Sequence, residues 1–345
     1  MMTRVTLLLT LVLAGCAAAR EPNVPLAEKH RGMSYAAASP RRGTYGTPSS
    51  AESLRKLKSL GVNWISIMPF AFHRGTPELS WSSTGSWEND DALRAVTKQA
   101  HQLGFKVLLK PHVWSRDEAA ISKWSDVEWR RFLAEYEKYA VHHATLAREL
   151  GIDAFSAGNE QKHSTHLDAD WRRIIASVRA IYKGPVTYGA NFDELEKVPF
   201  WDAVDFIGVS AYFPLVDAKT PSRAQLVAAW KPIVARLDAM ATRWKKPVMF
   251  TELGYRSSDG AAWRQWEIPR DAAVNLEAQR NAYEAFFEAV WREPWLAGVY
   301  FWKWFSYPGH SGSSSNDFEL ENKPAEEVVR RGYAPASATR SSSRR

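Results

Sequence analysis

Cysteine is almost absent: Cys16 is the only one in 345 residues. An internal disulfide is therefore excluded, and so is a zinc centre built from several thiolates. The apolar run near the N-terminus, Val5 to Leu13, is too short to span a bilayer as a helix. No glycine-rich phosphate loop links a strand-like segment to a helix, which argues against a dinucleotide-binding sheet. No short fixed-period repeat is present, so a solenoid is not expected. Neither charge sign dominates, with 45 Lys+Arg against 38 Asp+Glu and a net charge of +7. Part of that excess, Arg340, Arg344 and Arg345, sits in a Ser/Arg-rich end. No basic stripe exists, and nucleic acid is not an expected partner. The remaining composition, 45% hydrophobic and 24% charged, is that of a globular chain long enough to bury a large core. Tryptophan is the abundant exception, at 16 residues. Many wide aromatic faces suggest a surface for flat apolar ligand faces.

The first segment has the layout of an export signal. Arg4 precedes the apolar run, and the run ends Leu13-Ala14-Gly15-Cys16. That tetrapeptide resembles the bacterial lipobox, in which the cysteine is lipidated and becomes the new N-terminus. The expected organisation is a signal peptide over 1–15, then a tether over 16–30 containing Pro22 and Pro25. A barrel domain over 31–333 and a disordered Ser/Arg tail over 334–345 follow. The expected location is the bacterial cell envelope, anchored by lipid at the outer membrane or secreted, and the expected state is a monomer.

From residue 31 the chain alternates strand-like and helix-like segments. The strands read Gly32–Ala36, Asn63–Phe72, Lys106–Trp114, Ile152–Glu160, Pro185–Asn191, Asp205–Tyr212, Pro247–Tyr255 and Leu296–Phe305. Capping-box patterns, Ser49/Glu52, Ser125/Glu128 and Ser222/Gln225, predict three helix starts, and Asn89 or Asp90 a fourth. Gly61, Gly104 and Gly151 stand where helices should stop. Eight strand-then-helix units imply a parallel sheet, and their number favours a single closed (β/α)8 TIM barrel, an α/β fold.

In that fold catalytic side chains sit at the C-terminal ends of the strands. Only two of those ends carry carboxylates, Glu160 and Glu252. Two facing carboxylates are what glycoside hydrolysis requires. Lys110 and His112, two apart on strand three, are candidates to meet sugar hydroxyls, and Asn191 is another; His112 and Asn191 are equally readable as satisfied buried residues. Trp81, Trp87, Trp263 and Trp266 fall in loops at the catalytic face and are expected to form sugar platforms. Glu160, His163 and His166 have a spacing that suggests metal ligands, but no second ligand pattern supports it. No metal or cofactor is expected.

The ordered segments NWISIMPF, LKPHVW, SAGNE, FTELGY and GVYFWKW resemble glycoside hydrolase family 113, a clan A family of β-mannanases. The resemblance spans roughly residues 31 to 333. It implies a retaining mechanism on a β-1,4-mannan-type polysaccharide, with Glu160 as acid/base and Glu252 as nucleophile. It further implies that Tyr212 orients Glu252, that Asn159 meets the sugar 2-hydroxyl, and that Trp302 forms the platform at the cleavage site. One of Trp302 and Trp304 should be merely structural. The chain departs from the family at Trp114, where the family often has Asp, so one subsite should differ in shape. Two other functions share these observations: the same chemistry on another β-linked glycan of an envelope or exopolysaccharide, and a glycan-binding lipoprotein without catalysis. Hydrolysis on a panel of glycans separates them.

Overall fold

The computed structural model describes residues 28–38, 43–85, 87–115, 117–310 and 312–334. Cys16, the signal segment, most of the tether and residues 335–345 lie outside the described residues. Eight parallel strands close into a barrel: β1 (His30–Ala36), β2 (Trp64–Ile67), β4 (Lys106–Leu109), β6 (Ala154–Asn159), β7 (Val186–Asn191), β8 (Phe206–Ser210), β9 (Val248–Leu253) and β10 (Leu296–Phe305). Two further strands, β3 (Phe70–His73) and β5 (His112–Ser115), pair in parallel beyond the barrel rim. The principal outer helices are α1 (Pro48–Ser59), α2 (Asp90–Gln102), α4 (Asp126–Leu150), α5 (Asp168–Ile181), α6 (Arg223–Trp244), α7 (Leu276–Ala289) and α8 (Pro324–Tyr333); a single turn, α3 (Glu118–Ile121), precedes α4. Among the described residues, no helix is long and apolar enough to cross a membrane.

The predicted second and third strands are each divided in two. Pro69 follows β2 and Pro111 follows β4, and proline has no N–H to give to a ladder. The chain bends there, and its continuations pair with each other as β3 and β5. His112 and Trp114 thereby stand on a rim extension rather than in the barrel wall. The predicted Ser49/Glu52 capping box is not used either. Thr47 caps α1, accepting from the Ser50 N–H, because Pro48 occupies the first helical position. The other two capping boxes form as read, at Ser125/Glu128 and Ser222/Gln225, and Asn89 caps α2.

The N-terminal end of the barrel is plugged. Trp64, Leu108, Ala154, Phe206, Met249, Ala297 and Tyr300 form a separate apolar cluster near the strand starts, with His30 stacked on Trp64 at 3.7 Å. Seven of the 16 tryptophans are buried in the packing of the barrel and its helices. Trp64, Trp129, Trp171, Trp201, Trp230, Trp295 and Trp304 are buried, while only Trp87, Trp114 and Trp266 are largely exposed. With one end of the barrel plugged, the site must open at the other.

Candidate active site

Glu252 lies on β9, opposite Ser210 of β8, and Glu160 immediately follows β6. Both line one open cleft of about 1050 Å³ at the C-terminal end of the barrel, 92 residues apart in sequence (252 − 160). A second lobe of about 460 Å³ continues past Glu160 toward β5, sharing His112, Trp114 and Asn191.

The two carboxylates occupy different surroundings. Glu252 is 4% exposed and contacted on both oxygens. Lys110, fully buried, places its Nζ on Oε1, and the Tyr212 hydroxyl donates to Oε2 at 2.9 Å. Burial alone would raise the Glu252 pKa. The Lys110 charge, His112 and the Lys110 and Tyr212 hydrogen bonds outweigh it and hold the carboxyl below its ordinary value. Tyr212, pushed well above the usual phenol range by burial and by the charges of Glu252 and Glu160, stays protonated as a donor. Glu160 is shifted the other way, up to about 7, first by burial and then by the charge on Glu252; the Ser210 hydroxyl and Lys110 oppose this only in part. One carboxyl is thus ionised and the other protonated near neutral pH, the division that acid and nucleophile need.

Glu160 is held by its backbone as well. Its N–H donates to the Gly189 carbonyl at 2.8 Å, and its φ is +56°, in the left-handed region. A non-glycine residue there carries a local cost. The turn lifts the chain out of β6 just where the carboxyl must reach the cleft.

The other predicted residues divide into two groups. Tyr212, Trp302, His112, Asn191 and Trp114 line the cleft with the two glutamates. The Trp302 ring centre lies 5.6 Å from Lys110 Nζ, which places its indole beside the Glu252 carboxylate. Trp304 is buried and donates to Ser53 of α1 at 2.9 Å. In a regular strand these two residues would share a face. The register against β1 slips by one, from Met33↔Phe301 to Tyr35↔Trp304, and this bulge separates them. Lys110 and Asn159 belong to the second group, since neither lines the cleft. Lys110 meets Glu252 rather than open cleft, and Asn159, 2% exposed, donates from Nδ2 to His112 Nδ1 at 2.9 Å. His112 is held neutral, at about 4, chiefly by burial. Asn159 and Lys110 therefore position groups that face the substrate.

Of the four loop tryptophans, Trp266 lines the cleft, 57% exposed and stacked on Phe192. Trp81 packs against Tyr139 and His142, and neither Trp87 nor Trp263 lines the cleft. His163 lies against Trp129 and His166 pairs with Asp126, so Glu160, His163 and His166 do not converge. Sequence reasoning passed over Arg256, Asp317 and Phe318, which complete the cleft wall beside Trp302. They come from loops after β9 and β10 that carry no motif. Arg256 is fixed by the carbonyls of Asn316, Ile268 and Pro269, which ties the two loops together.

Known proteins share this architecture. The sequence profile of Glycoside Hydrolase Family 113 matches residues 33–323. The family 113 β-mannanase AaManA of Alicyclobacillus acidocaldarius, solved with ManMIm, is 31% identical, with 88% of this chain and 97% of that chain covered and a TM-score of 0.77. A second family 113 β-1,4-mannanase is 27% identical, with 89% and 99% covered and a TM-score of 0.78. A β-glucuronidase of Ruminococcus gnavus shares the fold alone, at 13% identity over 89% of this chain and 50% of its own, with a TM-score of 0.62. A search of curated protein sequences finds no significant match. The barrel, the divided carboxylates and a profile match over most of the chain agree: this chain belongs to glycoside hydrolase family 113.

Proposed function

We propose that the chain hydrolyses β-1,4-mannan-type polysaccharide, within the chain, with retention of anomeric configuration. The carrying observation is the pair Glu160 and Glu252 in one open cleft, with Lys110 and Tyr212 bound to Glu252 and burial raising the pKa of Glu160. In the first step the ionised Glu252 attacks the anomeric carbon while Glu160 gives its proton to the departing glycosidic oxygen. The resulting ester removes the charge on Glu252. The repulsion that helped raise Glu160 then disappears, and its carboxylate can take a proton from water. That water attacks the anomeric carbon and releases Glu252. Tyr212 and Lys110 keep Glu252 oriented and charged before each cycle. Exposed Trp114 and Trp266 on the cleft wall supply faces on which a polymer can lie.

The mannan assignment draws on both family 113 neighbours, which are β-mannanases. Trp114 favours a second reading, another β-linked glycan, because it alters the wall next to His112. Incubation with β-mannan, β-glucan, xylan and galactan, with proton NMR of the first products, tests both. Retained configuration on mannan supports the first reading. Turnover on another glycan alone transfers the assignment to it, and inverted products would overturn the role of Glu252.

The lipobox-like Leu13–Cys16 supports an exported, lipid-anchored enzyme at the cell envelope. Cys16→Ser should release the protein from membrane fractions or block processing of its signal. Unchanged membrane association would remove the anchor.

A further inference from the structure

A second group of ligand-type side chains lies away from the cleft, between α2 and α4. Asp90 opens α2, and His142 and His143 are consecutive on α4. One carboxylate oxygen and two ring nitrogens lie within 4.8 Å of one another. An Asp–His contact on a surface is common, and the 3.0 Å contact from His142 Nε2 to Asp90 Oδ1 needs no ligand to explain it. His143 is what that account leaves over. It is 3% exposed, and its Nδ1 lies 2.9 Å from the Tyr139 carbonyl oxygen. A carbonyl only accepts, so Nδ1 carries the proton and Nε2 presents a bare lone pair. No donor for it is found among the described residues. A lone pair left without a protein donor is open to water or to a ligand.

The same arrangement is how proteins present histidine to a metal. The hydrogen bond at Nδ1 fixes the tautomer and aims Nε2. Tyr139 packs edge-on against the His143 ring at 4.4 Å, and Trp81 lies 4.9 and 6.0 Å from the two imidazoles. Both rings are held before any ligand arrives.

We propose that Asp90, His142 and His143 bind a divalent transition-metal ion of the zinc type, clamping the start of α2 to α4. Two imidazoles and one carboxylate suit such an ion, with water completing a tetrahedron. Magnesium and calcium prefer oxygen donors and fit poorly. Ligand bonds of roughly 2.0–2.2 Å require the three atoms to draw together on binding. None of the three residues lines the cleft, so the site stands independently of the reaction proposed above.

The test uses the full chain without a polyhistidine tag, stripped by chelator and titrated with Co²⁺ and Zn²⁺. A single Co²⁺ per chain should produce visible ligand-field absorption that Zn²⁺ abolishes. Zn²⁺ at about 100 times its Kd should raise Tm by about 4 °C, while glycan hydrolysis is unchanged. Asp90→Asn and His142→Ala should each weaken binding at least about tenfold. His143→Ala should do the same; because His143 is buried, the other two variants keep the test readable if that one does not fold. No Co²⁺ absorption together with no Zn²⁺ shift in the unaltered chain overturns the site. Binding unchanged in both Asp90→Asn and His142→Ala does so equally.

Discussion

At the residue scale, the chemistry rests on how one lysine divides two carboxyl groups. Lys110 is buried against Glu252, and its charge pulls down the pKa of Glu252 and, more weakly, of Glu160. Activity requires Glu252 ionised and Glu160 protonated. Its acid limb therefore follows Glu252, below the ordinary carboxyl range, and its alkaline limb follows Glu160, near 7. Removing the cation raises both groups. Lys110→Met should shift both limbs of the kcat/KM profile to higher pH and lower the maximum roughly 10- to 100-fold. Limbs that stay in place would show that Lys110 does not set either charge. Glu160 and Glu252 were legible in the sequence because they are the only carboxylates at strand ends. The lysine's role was not, since the contact joins residues 142 apart across the barrel, and a Lys-Pro-His run reads equally well as a row of sugar contacts.

At the scale of elements, β6, β7 and β9 approach each other too closely for ordinary side chains at one point. A Cβ on Gly189 would lie 2.4 Å from Asn159 Oδ1 and 2.9 Å from Thr251 Oγ1. Asn159 in turn holds His112. Gly189→Ala should cost about 1–3 kcal/mol by overpacking and lower kcat/KM by displacing the Asn159–His112 pair. Thermal melts and kinetics on the same preparation check this, and an unaltered kcat/KM would mean that Asn159 has room to yield. The order and type of the eight barrel strands were readable from their apolar runs. The divided strands were not, although Pro69 and Pro111 were in plain view. A proline interrupts a ladder, but only the fold decides whether the chain stops there or continues as β3 and β5. The irregularity in β10 that parts Trp302 from Trp304 likewise arises from pairing with β1, which no local pattern announces.

At the scale of the whole molecule, α8 closes the barrel seam. The Tyr333 hydroxyl donates to the Gly32 carbonyl of β1 at 3.1 Å, and its ring stacks on Phe301 of β10 and meets Phe287 of α7 edge-on. At the other end of α8, buried Lys323 donates to Ser257 Oγ and the Asp317 carbonyl, both at 2.9 Å. The last helix thus joins the first strand to the loops of the cleft wall. Tyr333→Ala should lose about 3–5 kcal/mol, by analogy with other large buried aromatics, measured by equilibrium urea unfolding. A loss under about 1 kcal/mol would show that the seam holds without it.

The left-handed backbone at Glu160 sets folding and chemistry against each other at a single position. Glycine would adopt that φ freely, and it would bring no carboxyl to desolvate. Glu160→Gly should therefore melt no lower than the unaltered chain while losing hydrolysis of unactivated glycans. A Tm lowered by more than a few degrees would mean that the glutamate stabilises the fold after all. If the expectation holds, the enzyme keeps a conformational handicap solely for its reaction. The sturdier, silent form would then serve as a lectin-like trap, in which an intact polysaccharide can be seen lying across the cleft.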